Sequence, residues 1–192
     1  RECGSTGWLA SLVFSHIMYV GRFEPDAQEE FFAASADPVL ATASAGGGGL
    51  VREGKDWRLK GRWSFASGVN VANGLMVVAR ERGEGPISHF ILLLPGEFAV
   101  HDTWFSEGLR GTGSHDVTVN DVIVPARRVV SMADFTSYSP PGASIAESYV
   151  HIVRTPPYQK SWFCGPLLGT ARGALNSYLE QTKARTGRIL GE

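Results

Sequence analysis

The chain has 192 residues, 43% of them hydrophobic, which is enough to bury a sizeable core. Its 18 basic and 19 acidic side chains almost cancel, to a formal net charge of -1, and are scattered rather than blocked. That leaves no basic stripe for nucleic acid and no polybasic patch for anionic lipid, so neither nucleic acid nor a membrane is expected as a partner.

The two cysteines, Cys3 and Cys164, stand far apart and outside any C-x-x-C spacing, so neither a disulfide framework nor a zinc knuckle is argued and a reducing cytoplasm is the expected setting. No apolar run approaches the roughly 20 residues that span a bilayer. The first residue is not Met, helical periodicity begins almost at once, and the sequence stops just beyond another helical pattern, so a fragment of a longer chain is expected.

In chain order, Trp8, Leu9, Leu12, Val13 and His16 fall on one stripe of a helix. Pro25, Asp26, Glu29 and Glu30 then suit the first turns of a short helix that carries Phe31 and Phe32 and ends at Asp37-Pro38. After Pro38 the period changes to two. Trp57, Leu59, Gly61, Trp63 and Phe65 alternate with Arg58, Lys60, Arg62 and Ser64, which predicts a strand buried on one face.

Further strands are predicted at 39–44, 75–79, 90–94, 117–119 and 122–124, at hairpin-like spacings. Short strands without intervening helices imply an antiparallel sandwich or barrel. From about Ser131 to Pro157 no period is sustained, and a long excursion is expected. Leu168, Ala171, Leu175, Tyr178, Leu179 and Thr182 then form one face of a last helix, with Gly187 as its C-cap. The fold class by chain content is α+β. It divides into helices over 1–37, a β domain over 38–130, a loop over 131–160 and a helix over 161–192.

Motifs narrow the chemistry. Gly46-Gly47-Gly48-Gly49 lacks the Gly-Lys-Ser/Thr of a phosphate loop and reads as a flexible turn. Gly108-Leu109-Arg110-Gly111-Thr112-Gly113 lacks the strand, helix and downstream acid of a dinucleotide site. Ser114-His115-Asp116 cannot assemble a hydrolytic relay, because consecutive strand residues point to opposite faces. His16, His89, His101, His115 and His151 lack the short paired spacings of metal ligands, and no metal is expected. Arg62-Trp63-Ser64-Phe65-Ala66-Ser67-Gly68 is more informative. An aromatic-rich strand ends there in small residues that let a flat ligand approach the backbone, although a core strand followed by a turn would read the same way.

Gly61-Arg62-Trp63-Ser64-Phe65-Ala66-Ser67-Gly68, Gly108-Leu109-Arg110-Gly111-Thr112-Gly113-Ser114 and Asp121-Val122-Ile123-Val124-Pro125 resemble signatures of the two-component flavin-dependent monooxygenases. These oxygenase components, of the p-hydroxyphenylacetate hydroxylase, steroid-ring phenol hydroxylase and dibenzothiophene monooxygenase kind, are built on the acyl-CoA dehydrogenase fold. Gly4-Ser5-Thr6-Gly7-Trp8 and Gly169-Thr170-Ala171-Arg172-Gly173-Ala174-Leu175 match further segments, in the family's order.

The resemblance implies N-terminal helices, a central β-barrel or sandwich domain and the start of a C-terminal helical bundle that makes a homotetramer. It also implies reduced FMN or FAD delivered by a separate NAD(P)H-flavin reductase. With O₂ as co-substrate, a C4a-hydroperoxyflavin would hydroxylate an aromatic, phenolic or related organic molecule.

Carried over by residue, Ser67 matches the serine that approaches flavin N5, with Phe65 and Ala66 beside the ring. Trp8 and His16 match residues bordering the substrate. His16 would bond a phenolic oxygen or act as a base, with a packed core histidine as the rival reading. Ser44 or Thr42 matches a polar position facing flavin or substrate. Arg185 resembles the arginine that meets the flavin phosphate, against a solvated helix-end charge.

Two rivals remain. An acyl-CoA dehydrogenase is disfavoured because Ala43-Ser44-Ala45 stands in place of a Thr-Glu-Pro segment and Trp63-Ser64-Phe65-Ala66-Ser67-Gly68 in place of Trp-x-Thr-Asn-Gly. A flavin-free binding module is the other.

Overall fold

A computed structural model of the protein describes residues 3–146, 153 and 161–183. Helix α1 (Gly4–Val20) buries Leu12, Ser15, His16 and Tyr19, residues spaced three and four apart and so stacked on one face. α2 (Pro25–Ala33) begins with proline at its first position, where no backbone donor is needed. It buries Ala27 and Phe31 and leaves Phe32 exposed.

Seven strands follow: β1 (Leu40–Glu53), β2 (Asp56–Ala66), β3 (Gly74–Glu81), β4 (His89–Leu93), β5 (Ala99–His101), β6 (His115–Val124) and β7 (Val129–Ser131). They form one sheet in the order β5-β6-β2-β1-β3-β4-β7. The expectation of antiparallel pairing fails at one seam, since β1 and β3 run parallel. The chain leaves β1 through the β1–β2 hairpin and returns by Val69–Val71, a 3₁₀ turn, to the opposite edge of β1, so β3 enters in the same direction. Segments 117–119 and 122–124 are one strand rather than two. Asp121, at φ 63°, makes a bulge where the β2–β6 register shifts, and no hairpin turn is present.

The glycine run is likewise not a turn. Gly46 to Gly49 lie inside β1. A Cβ on Gly48 would stand 2.5 Å from the Trp63 ring and one on Gly61 2.8 Å from it, so both positions are bare to let the indole lie across the strands. Trp63 is fully buried and donates from Nε1 to the Val78 carbonyl at 2.7 Å.

The stretch after β7 is not structureless at its start. Ser131 caps α3 (Met132–Thr136) by accepting from the Asp134 N–H, and Phe135 is buried. Phe135 stacks on Phe90 at 3.9 Å and meets Tyr19 and Phe23, joining α1, β4 and α3 in one aromatic cluster. Arg22, also buried, donates to the carbonyls of Phe135, Ser137 and Val153, and burial lowers its pKa. α4 (Cys164–Lys183) has no buried residue, with Leu168, Leu175 and Tyr178 all exposed. Gly187 lies outside the described residues. No described helix is long and apolar enough to cross a membrane.

Candidate functional site

Beyond Trp63 the alternation of β2 breaks. Phe65 adopts φ 64°, a left-handed conformation that costs an aromatic residue about 1–3 kcal/mol, and the β2–β6 register shifts between Trp63 and Ala66. The Phe65 ring is thereby turned outward, 61% exposed, while Ala66 is buried. The Ala66 methyl therefore offers no surface to a ring, and any ligand contact from Ala66 comes through its backbone. Ser67 N–H closes onto the Phe65 carbonyl at 2.9 Å. Gly68, at φ 76°, completes the corner and donates to the Thr112 carbonyl at 2.8 Å.

That backbone bond brings the Gly108–Ser114 segment against the corner. Ser67 Oγ lies 2.7 Å from Ser114 Oγ, which lies 2.7 Å from Thr112 Oγ1, and Thr112 Oγ1 donates to the Leu109 carbonyl at 2.9 Å. Thr112 and Ser114 are buried. Trp104 Nε1 donates to the same carbonyl at 3.2 Å, and the Trp104 ring meets Phe65 edge-on at 6.1 Å. Phe65 and Trp104 thus give the corner an aromatic surface with one half-buried hydroxyl beside it. Such a surface could take the face of a flat heteroaromatic ring such as that of a flavin.

A separate cavity of about 320 Å³ lies between α1, the sheet and α3, lined mainly by apolar side chains such as Met76, Phe90, Met132 and Phe135. Its polar groups are Tyr19, Thr42, Ser44 and Thr136. Burial raises the Tyr19 pKa, keeping the phenol neutral.

Behind Thr42 stands His16, buried and stacked on Tyr19 at 5.8 Å. Its Nδ1 lies 3.3 Å from the Leu40 carbonyl and its Nε2 3.2 Å from Thr42 Oγ1. A carbonyl only accepts, so the ring carries its proton on Nδ1, and Nε2 accepts from the Thr42 hydroxyl. Burial pushes its pKa down to about 4, against the lesser opposing effect of the Leu40 bond. His16 is thus neutral and fully bonded, closer to the packed core histidine than to an open base.

The structure brings Thr42 and Ser44 together at the cavity, with His16 behind Thr42, and Phe65 and Ser67 together at the corner. Trp8 stands apart from the cavity lining and packs on Phe163 at 5.2 Å, at the junction of α1 and α4. A second groove of about 720 Å³ follows that junction, lined by small residues such as Gly7, Ser11, Gly169 and Gly173. Arg185 and His151 lie outside the described residues. Among the described residues no cluster of three or more His, Cys, Asp or Glu is placed to hold a metal.

Tyr19 at the cavity and Thr112, Ser114 and Trp104 at the corner are members of the candidate site that sequence reasoning missed. Thr112 and Ser114 sit inside a glycine-rich signature read for its glycines, and no local pattern marks a hydroxyl that will meet one 47 positions away.

No family model matches the chain. It is 30% identical over 186 residues to the flavin-dependent monooxygenase oxygenase subunit HsaA of Rhodococcus jostii, covering 95% of this chain and 48% of that protein. It is 31% identical over 198 residues to the oxygenase component of the FADH2-dependent resorcinol hydroxylase of a Rhizobium species, covering 97% of this chain and 46% of that protein. Its fold superimposes on the crystal structure of the HsaA monooxygenase from M. tuberculosis with a TM-score of 0.86 at 27% identity, over 97% of this chain and 52% of that one. The chain spans about half the length of the curated relatives it matches. By sequence and by fold, over nearly all of its own length, it is similar to the oxygenase components of flavin-dependent monooxygenases.

Proposed function

We propose that the protein is the oxygenase component of a two-component monooxygenase. It takes reduced FMN or FAD from a separate NAD(P)H-flavin reductase and, with O₂, hydroxylates a small aromatic, phenolic or related organic molecule. The observation that carries the reading is the corner at 65–68, where a strained backbone turns the Phe65 ring outward beside the Ser67 hydroxyl. Relatives named as flavin-dependent and FADH2-dependent hydroxylases support it.

When bound, the flavin supplies the electrons and the activation of oxygen. Phe65 would cover part of its ring, and Ser67 would hold a hydrogen bond at its N5 edge. The substrate enters the cavity, whose apolar walls exclude water and whose hydroxyls, Thr42 above all, orient a phenolic oxygen. His16 acts through Thr42, whose hydrogen it engages, so that the Thr42 lone pairs are left to accept from a phenol O–H. Ser44, exposed and lining the same cavity, belongs with the substrate or at its border with the flavin. Arg185 would meet the flavin phosphate, and Trp8 serves the α1–α4 contact rather than the substrate. A barrel or sandwich between two helical regions, with α4 opening a bundle that assembles a homotetramer in the cytoplasm, completes the reading.

The test is to load the intact protein anaerobically with reduced FMN or FAD, add a panel of phenols, and introduce oxygen. Hydroxylated product accounting for most of the flavin consumed is expected, with Ser67→Ala diverting electrons to hydrogen peroxide. Peroxide alone with every phenol, or reduction of bound oxidised flavin by an acyl-CoA, would contradict the reading.

A further inference from the structure

We infer that Thr112 and Ser114 form a one-way chain of hydroxyls that fixes Ser67 as a hydrogen-bond acceptor, and that the chain thereby selects reduced over oxidised flavin at the corner. The inference rests on the flavin reading above.

Each hydroxyl has a single hydrogen to give. Thr112 Oγ1 spends its hydrogen on the Leu109 carbonyl, which cannot donate in return. The 2.7 Å contact between Thr112 and Ser114 must then use the hydrogen of Ser114. By the same count, the 2.7 Å contact between Ser114 and Ser67 must use the hydrogen of Ser67. Thr112 and Ser114 are 2% and 6% exposed, so bulk water does not offer them other partners. Among the described residues, Ser67 therefore turns only oxygen lone pairs toward its open side. The backbone bond from Gly68 to Thr112 holds the two segments in register, independently of the hydroxyls.

Reduced flavin carries a hydrogen on N5, whereas oxidised flavin presents a lone pair there. An acceptor at Ser67 pairs with the first and opposes the second. Reversing or freeing the hydroxyl would erase the difference, because a rotatable Ser67 serves either state equally well. The selectivity thus depends on two buried residues that do not themselves touch the ring.

Dissociation constants of reduced FMN, measured anaerobically, and of oxidised FMN, measured in air, would be compared for the intact protein and for Thr112→Val, Ser114→Ala and Thr112→Ser. The wild-type protein should prefer reduced FMN. A net hydrogen-bond difference predicts that Thr112→Val and Ser114→Ala each lower that preference by about threefold to tenfold, while Thr112→Ser keeps it. Thr112→Val leaves the residue-112 N–H and the Trp104 indole as donors to the Leu109 carbonyl, and Ser114→Ala is an independent route if that variant melts early. If both variants weaken the two oxidation states equally, the hydroxyls are merely structural and the inference falls while the flavin reading stands. Equal wild-type affinity for both states also overturns it. If the wild-type protein binds neither, the flavin reading falls and takes the inference with it.

Discussion

The corner at 65–68 and the wall of the cavity at Thr42 each carry a chain of hydrogen-bonded polar groups, yet the chains end differently. At the cavity the chain of bonds closes inward: Leu40 carbonyl, His16 and Thr42 satisfy one another, and the histidine is sealed off. At the corner it runs from the Leu109 carbonyl through two buried hydroxyls and stops at a half-buried serine beside an exposed aromatic ring. The first arrangement seals a histidine and orients the Thr42 hydroxyl, and the second ends on the Ser67 oxygen at an open edge. The same chemistry thus reads as packing in one place and as a binding edge in the other, according to where the last partner lies.

Both regions stand on Trp63, so the largest effect should come from removing it. Trp63→Ala leaves a void beneath β1, β2 and β3 and should cost about 3–5 kcal/mol in denaturant unfolding, with both regions lost together.

The sealed histidine gives the next effect. Its pKa of about 4 when folded lies below its ordinary value of 6.5, so the unfolded chain binds the proton more readily. Stability contributed by the neutral ring is full above about pH 6.5 and is lost as pH falls toward 4, on the order of 3 kcal/mol across that window. His16→Gln should flatten this part of the pH dependence of the melting temperature. Thr42→Val should cost about 1–3 kcal/mol, because it strands a buried acceptor on His16. Ser67→Ala should be the mildest, about 0.5–1.5 kcal/mol, since it removes one neutral hydrogen bond to Ser114, whose hydroxyl still donates to Thr112. A Ser67→Ala variant that unfolds as readily as Thr42→Val would blur the contrast between the two regions.

Much of this was legible in the sequence where one interaction dominates. The alternation of Trp57, Leu59 and Trp63 located β2 because sheet burial has a period of two, and Pro25 located α2 because proline suits only a helix start. The alternation also placed Phe65 on the buried face, where it is not, because nothing local announces a left-handed residue paid for by contacts from 104–114. The glycine run misled for a related reason. Bare positions look like a turn until the indole that fills them is seen to come from the neighbouring strand. Of the site, Ser67, Thr42 and His16 were visible singly through resemblance. Their partners were not, since hydroxyl chains join segments 26 to 47 residues apart and leave no periodic trace.

The most direct measurement separates the two regions in one protein by filling the cavity without touching the corner. Reduced FMN binding and phenol hydroxylation would be followed together in the intact protein and in Thr42→Phe. Because substitutions at separate, unshared sites act independently, reduced-flavin affinity should stay within about twofold of wild type. Hydroxylated product should disappear and peroxide should take its place. Loss of flavin binding together with hydroxylation would contradict the division, showing that cavity and corner are a single pocket for the flavin itself.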